Sequence, residues 1–264
     1  MPDVDFTIPG SNAIVTAAGR GIGRQIAFQL AEAGINVVVN DIDPTPLEEI
    51  PDAFENTQGE VLTVQGDASD PDDMEYLIEQ TTDEFGRLDI LVNNVGIAGP
   101  TKPCEEITHD EFMGTLEVNI GGIFNATREA IPYLREGSYG RIINISSMSG
   151  KRPLQDRTPY TTAKMGIIGF TRTLAVELAD DDITVNAICP GSVEGPRLER
   201  VIERQAENQN RPYSEVEQEF REHSPMEEFV QASDVGDAVL FLCSKRSTHI
   251  TGQDLNVTAG IVMY

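Results

Sequence analysis

Short apolar runs alternate with longer stretches whose apolar positions recur every three or four residues. Residues 12–16 (NAIVT) form a compact apolar run, 17–23 (AAGRGIG) a glycine-rich break, and 24–33 (RQIAFQLAEA) repeat at helical spacing; this predicts strand, turn, helix. The same alternation continues. Further strands are expected at 36–40, 60–65, 89–93, 141–146, 184–189 and 254–257. Helices are expected at 72–85, at 110–134 as one long element with Gly121 and Gly122 inside it, at 160–179, and at 233–244 with Ser233 as its cap. Strands alternating with helices throughout predict an α/β fold. Its form is a doubly wound (Rossmann) parallel sheet of about seven strands with helices on both faces.

The alternation has one gap. Residues 192–230 are polar, charged and weakly periodic, too long for a plain connection, and read as a lid inserted over the carboxyl end of the sheet. With that insertion, residues 1–264 are expected to form a single domain. No run of about eighteen apolar residues occurs, so no membrane span is expected. The first ten residues lack a signal peptide's pattern, and Cys104, Cys189 and Cys243 form no CxxC pair. Together these point to reduced thiols in a cytoplasm. His109, His223 and His249 share no ligand spacing with the cysteines, so no metal site is expected.

Charge changes the picture most. The net charge is −25, with 44 acidic residues against 19 Lys and Arg, and lysine is confined to Lys102, Lys151, Lys164 and Lys245. That balance argues against nucleic acid and anionic membrane as partners. The acids are dispersed, as on an all-over acidic surface that repels itself unless screened, which suggests adaptation to molar salt.

Chemistry concentrates at two places. Tyr160 and Lys164 lie four apart at the start of an expected helix, on one face, where the ammonium favours the phenolate of a residue whose ordinary pKa is about 10. Ser147, at the end of the 141–146 run, offers a hydroxyl to a substrate oxygen. Gly19, Gly21 and Gly23 sit between the first strand and helix, where backbone amides can face a pyrophosphate. Asp41 stands eighteen residues beyond Gly23 at a strand tip, where a carboxylate accepts from both ribose hydroxyls and repels a 2′-phosphate. Arg20 in the same loop is a competing candidate for such a phosphate. Asp41 is the better placed, which favours NAD over NADP.

Taken together, these motifs resemble the short-chain dehydrogenase/reductase family over essentially the whole chain. TAAGRGIG (16–23) resembles its TGxxxGIG loop, NNVG (93–96) its NNAG motif, and CPG (189–191) its PG motif. Asn119, Ser147, Tyr160 and Lys164 match its catalytic four. The resemblance implies cofactor contacts from Gly19, Arg20, Gly21, Ile22, Gly23, Asp41, Asp67, Ala68, Asn93, Gly96, Tyr160, Lys164, Pro190, Gly191 and Val193. It also implies a nicotinamide cofactor and a homotetramer. Tyr160 would be the base, Lys164 would grip the nicotinamide ribose, Ser147 would hold the substrate oxygen, and Asn119 would position a water. Two departures stand out. Ala17 replaces the loop's first glycine, with Gly19 expected to take up the tight turn, and Val95 replaces Ala beside the adenosine.

The substrate is less legible. Lys151, Arg152 and Arg157 cluster between Ser147 and Tyr160, and Arg197, Arg200 and Arg204 share a face in the insertion. Guanidinium groups over a site suit an anionic substrate, with Lys151, Arg152, Arg157 and Arg197 as its candidate contacts; pairing with Asp156, Glu194, Glu199 and Glu203, or lining a subunit contact, is the plainer explanation. Apolar anchors in the insertion are few, which favours a small polar alcohol: a sugar, sugar acid or hydroxy acid. An NADPH-dependent 3-oxoacyl-thioester reductase is the alternative within enzymes, and a non-catalytic cofactor-binding regulator the alternative outside them.

Overall fold

A computed structural model describes residues 6–264; the first five residues of the expected 1–264 domain, which also begin the segment read as lacking a leader pattern, lie outside the described residues. The expected strands form: β1 (Asn12–Val15), β2 (Asn36–Asp41), β3 (Val61–Gln65), β4 (Ile90–Asn93), β5 (Gly140–Ile145), β6 (Ile183–Pro190) and β7 (Asp254–Val257). They pair in parallel in the order β3-β2-β1-β4-β5-β6-β7. The strand order reverses beside β1, which leaves a crevice at the carboxyl ends of β1 and β4.

The near-continuous apolar strands follow from burial on both faces. Along β1, Ala13 and Val15 join one core cluster and Ile14 the other, and β2 divides in the same way. The first face is covered by α1 (Gly21–Glu32), by the short helices α2 (Pro44–Glu48) and α3 (Ile50–Ala53), and by the late helix Ala232–Cys243. The second is covered by α4 (Pro71–Phe85) and by two further helices contributing Ile123, Ala126 and Leu134, and Ile167 and Leu174. Each fully buried Val, Leu or Ile contributes about 1.5–3 kcal/mol relative to exposure. Local signals agree with this packing: α4 starts with the Asp70 cap on Asp72 N–H and Pro71 in its first turn, and stops at left-handed Gly86.

Three features differ from the sequence reading. The long helix is α5 (His109–Leu116), a π-helical turn (Glu117–Gly121), then α6 (Gly122–Arg135). The next helix, α7, spans Thr158–Glu177. Residues 192–230, only weakly periodic in sequence, hold two formed helices, α8 (Pro196–Gln209) and α9 (Tyr213–Glu222), packed on each other through Ile202, Ala206, Val216 and Phe229. The thin seam of Leu198, Ile202 and Ala206, four apart in a helix crowded with charges of both signs, is why the period was faint in the sequence. Third, α10 (Ala232–Cys243) is capped by a reciprocal box of Gln231 and Asp234 rather than by Ser233. Among the described residues no helix is long and apolar enough to cross a membrane.

The two ends of the insertion meet. Val193 and Val230 form a parallel bridge, with the Val230 N–H donating to the Ser192 carbonyl at 3.0 Å and the Glu194 N–H to the Val230 carbonyl at 2.9 Å.

Candidate active site

The crevice is stitched together by residues at the tips of β1 and β4. Thr16 Oγ1 accepts from the backbone N–H of Asn94 at 3.0 Å, and the Asn94 amide donates back to the carbonyls of Thr16 (3.1 Å) and Ala17 (2.9 Å). Ala17 itself adopts φ of 49°, and Gly19 is not left-handed, so the expectation that Gly19 relieves the turn is corrected. A left-handed L-residue costs roughly 1–2 kcal/mol, and the Asn94 bonds hold Ala17 there. Asn94 is the motif residue with this anchoring role, one that its position in NNVG alone did not single out. Asn93, expected at the cofactor, is instead fully buried; its amide donates to Thr127 Oγ1 (3.0 Å) and Asn144 Oδ1 (2.8 Å) in the core, so its side chain offers no surface to a ligand. Val95 packs against Gly122, where a Cβ would lie 3.1 Å from Val95 Cγ1, so the larger residue is matched by a glycine on α6.

The remaining cofactor candidates line one edge. The N-terminus of α1 has no side-chain cap and no acid in its first turn, leaving the amides after Arg20 open to an anion. Asp41 is buried; its Oδ2 accepts from Gly19 N–H and its Oδ1 from Asp43 N–H, both at 3.0 Å. Arg20 turns away to an ion pair with Asp43. Gly21 and Ile22 open the helix, and Gly23 is buried beneath it. Asp67 is half-buried, accepting from Ser69 N–H and hydroxyl, with Ala68 buried beside it. At the other end, Gly191 N–H donates to the Val257 carbonyl, Pro190 closes β6, and Val193 begins the bridge to Val230.

The catalytic candidates converge. Tyr160 and Lys164 stand one turn apart on α7, both buried, with Lys164 Nζ 5.8 Å from the phenol ring centre and donating to the Ile145 carbonyl at 3.0 Å. Burial raises the Tyr160 phenol, but Lys164, Arg197, Ser147 and Arg157 together outweigh it and hold the phenol below its ordinary range. Burial pushes the Lys164 ammonium down, against the pull of the phenolate. Ser147 caps the short turn Met148–Gly150, which lies against α7 so closely that a Cβ on Gly150 would sit 2.9 Å from the Lys164 carbonyl oxygen. Gly150 is thus a second positioning residue, and only the contact reveals it.

Asn119 lies in the π turn, fully buried. The wider turn lets its amide donate to the Thr115 carbonyl (2.8 Å) and to the Ile97 carbonyl (3.1 Å), while its Oδ1 has no partner among the described residues. A Cβ on Gly96 would meet that Oδ1 at 2.7 Å and Lys164 Nζ at 3.1 Å, so the orphaned oxygen and the ammonium face the same small space. An unpaired buried acceptor beside a buried cation is a place for a bound polar group. The open helix end, the buried Asp41 and this space are what a dinucleotide would need at its pyrophosphate, ribose and redox ends, so the residues fit one.

The four substrate candidates separate. Lys151 is occupied by Asp254 (2.7 Å) and Asn256 Oδ1 (3.0 Å), a structural pairing that corrects its reading as a substrate contact. Arg152 is exposed. Arg157 and Arg197 do meet at Tyr160, with guanidinium carbons 4.7 and 5.7 Å from its ring centre. Arg200 bends back to the Pro196 carbonyl, and His223 is exposed against Phe220. The two buried thiols are held in their protonated form: burial pushes Cys189 up to about 11 and Cys243 up to about 12.

Residues 16–262 match the family model described as enoyl-(acyl carrier protein) reductase. Among curated proteins, the chain is 32% identical over 253 residues to 3-oxoacyl-[acyl-carrier-protein] reductase FabG of Staphylococcus aureus, covering 96% of this chain and 98% of that one. Among solved structures it resembles NAD+-bound xylitol dehydrogenase (28% identity, TM-score 0.90, 96% of this chain and 100% of that one). It also resembles L-sorbose reductase from Gluconobacter frateurii complexed with NADPH and L-sorbose (27% identity, TM-score 0.93, 99% and 100%).

Proposed function

Since the chain belongs to the short-chain dehydrogenase/reductase family of oxidoreductases, we propose that it interconverts a secondary alcohol and a ketone on a small polar substrate such as a sugar, sugar acid or hydroxy acid. The observation that carries this reading is the convergence of Ser147, Tyr160, Lys164 and Asn119 at the carboxyl end of the central strands, with the phenol held below its ordinary range. We place the protein in a cytoplasm, as a single domain with residues 192–230 as its lid, working as a homotetramer.

Gly19, Arg20, Gly21, Ile22 and Gly23 would hold the pyrophosphate at the α1 N-terminus. Asp41 would hold the adenosine ribose, and Asp67 and Ala68 the adenine. Gly96, Tyr160, Lys164, Pro190, Gly191 and Val193 would line the nicotinamide end. When bound, the nicotinamide supplies the two-electron redox chemistry. The rest is proton handling by the chain. Ser147 donates to the substrate oxygen and fixes it against Tyr160. In alcohol oxidation the Tyr160 phenolate takes the hydroxyl proton; in ketone reduction the phenol returns it. Lys164 stabilises the phenolate, and the free Asn119 Oδ1 beside it holds a water through which the proton reaches solvent.

NAD is favoured over NADP for a local reason. A 2′-phosphate would meet the buried Asp41 carboxylate, and the one loop cation near it, Arg20, is already paired with Asp43. A second reading, reduction of 3-oxoacyl thioesters with NADPH, is supported by the full-length similarity to FabG.

The test follows the near-ultraviolet absorbance of the reduced cofactor, with NAD(H) and NADP(H) offered separately. The panel is sugars, sugar acids, hydroxy acids and acetoacetyl thioesters, in about 2 M KCl, where charges are screened beyond a few ångströms. Turnover of polar alcohols with NAD supports the reading. Turnover confined to NADPH and thioesters replaces it with the second.

A further inference from the structure

Arg157 and Arg197 reach Tyr160 from separate parts of the chain, one capping α7 and the other in the first turn of α8. With Lys164, they place three cations around a single phenol. Ionisation of Tyr160 balances one of them. Elsewhere in this acidic chain arginines find acids: Arg20, Arg24, Arg87, Arg135, Arg172 and Arg211 all lie in ion pairs. Arg157 and Arg197 have no acidic partner among the described residues. Glu194, the nearest acid before α8, turns instead to Gln231 and Arg221. Arg157 is anchored by a bond from Nη1 to Thr101 Oγ1 at 3.0 Å, yet its Nε is buried without a partner. Two like charges brought together without a counter-ion repel, and a protein of net charge −25 has acids in abundance to neutralise them. Their place beside the reactive phenol is left for an anion that arrives from outside.

We propose that Arg157 and Arg197 form a clamp for a carboxylate carried by the substrate a few bonds from the carbon that is oxidised or reduced, making short hydroxy acids or sugar acids and their keto forms the preferred substrate class. This rests on the preceding assignment of Tyr160 to proton transfer and narrows it. The planar guanidinium fork matches a carboxylate through paired N–H···O bonds, and binding it relieves the mutual repulsion of the arginines. Since both groups stack near the phenol ring, the anion they hold sits within a short carbon skeleton of the reacting oxygen. A phosphate at the far end of a long carrier arm would not reach the clamp together with the reacting carbon. Arg197 belongs to the insertion and Arg157 to α7, so the same anion ties the lid to the catalytic helix.

The test is titration calorimetry on the full chain at one fixed salt concentration, first with NADH and then, at saturating NADH, with oxamate and its neutral ethyl ester. Oxamate carries a carboxylate beside an inert carbonyl. Oxamate is expected to bind about tenfold or more tightly than the ester. Arg197→Gln removes that preference without changing NADH affinity or melting temperature, Arg197→Lys restores part of it, and Arg200→Gln leaves it intact. Equal affinity of oxamate and ester, or an Arg197→Gln variant that weakens both alike, overturns the clamp and leaves the oxidoreductase reading standing. Failure of NADH itself to bind overturns the NAD assignment alone, and the same two titrations at saturating NADPH then decide the clamp by the same criterion.

Discussion

Replacing Gly96 by alanine probes the site at its tightest point. The glycine is not in a left-handed conformation, so alanine brings no backbone strain and the whole effect comes from contact. The new methyl carbon would lie 2.7 Å from Asn119 Oδ1 and 3.1 Å from Lys164 Nζ, whereas ordinary contact begins at 3.4 Å. Asn119 must therefore retreat by about 0.7 Å in a close-packed interior. Its amide is held by two carbonyls at 2.8 and 3.1 Å, and Lys164 by one at 3.0 Å, so the retreat strains three hydrogen bonds. Overpacking of this kind costs about 1–3 kcal/mol, which lowers the melting temperature of a chain this size by roughly 2–10 °C. A displacement approaching 1 Å at a catalytic group costs up to about 10²-fold in rate. We expect kcat to fall by about 10–10²-fold, read from cofactor absorbance, with the melting temperature followed in parallel. The second arm is the double variant Gly96→Ala/Asn119→Ala. It removes the atom that is struck, so the two stability losses should be less than additive by about 1 kcal/mol or more. A Gly96→Ala protein with kcat within twofold of the parent and an unchanged melt would refute the rigid placement of Asn119 and Lys164.

Other expectations are simpler. Tyr160→Phe should keep cofactor affinity and lose about 10²–10⁴-fold in turnover, the range of general acid–base catalysis; retention of a tenth of the rate would remove Tyr160 from the reaction. Because the phenol is lowered and alcohol oxidation uses its ionised form, the oxidation rate should rise with pH and level off below the ordinary tyrosine value of about 10. Ketone reduction, which uses the protonated form, should fall over the same interval. Arg197→Gln should move both inflections upward; a profile that stays put would show the guanidinium is not felt by the phenol. Asp41→Asn keeps an acceptor for Gly19 N–H but removes the charge, so the kcat/KM ratio of NADP to NAD should rise by up to roughly 10³-fold, given the Coulomb energy of about 4 kcal/mol for two charges about 4 Å apart near a protein surface. Finally, with a net charge of −25, the melting temperature should climb as KCl rises from dilute buffer to about 2 M; a flat response would mean the acidic surface is not adapted to salt.

The strands and the covering of both sheet faces were legible because a parallel sheet covered on two faces leaves unbroken apolar runs such as VVV in β2. Ser147, Tyr160, Lys164 and Asn119 were legible as motif positions, but not the means that hold them. A π turn adds width without disturbing the apolar period, so the Glu117–Gly121 segment looked like continuous helix with a glycine pair in it. Lys151 stood in sequence with Arg152 and Arg157, yet its partner Asp254 lies about a hundred residues on, in β7, and only folding joins them. Charge spacing put Arg197, Arg200 and Arg204 on one face of α8; it did not indicate that only Arg197 would meet Tyr160. Asn93 and Asn94 are identical neighbours, and strand alternation alone sent one into the core and the other to the loop after β1.

The bridge between Val193 and Val230 gives residues 192–230 a single neck, and their helices share a small apolar core of their own. Because the ends already meet, the length of chain hung from that neck costs the frame little, growing only as the logarithm of loop size. The segment is therefore an exchangeable cassette: a graft of different length or sequence at Ser192 and Val230 would change which molecules are admitted while Ser147, Tyr160 and Lys164 stay where β5 and α7 put them. Variation within such a protein lineage is then expected to concentrate in the cassette, and the frame to serve one chemistry for many substrates.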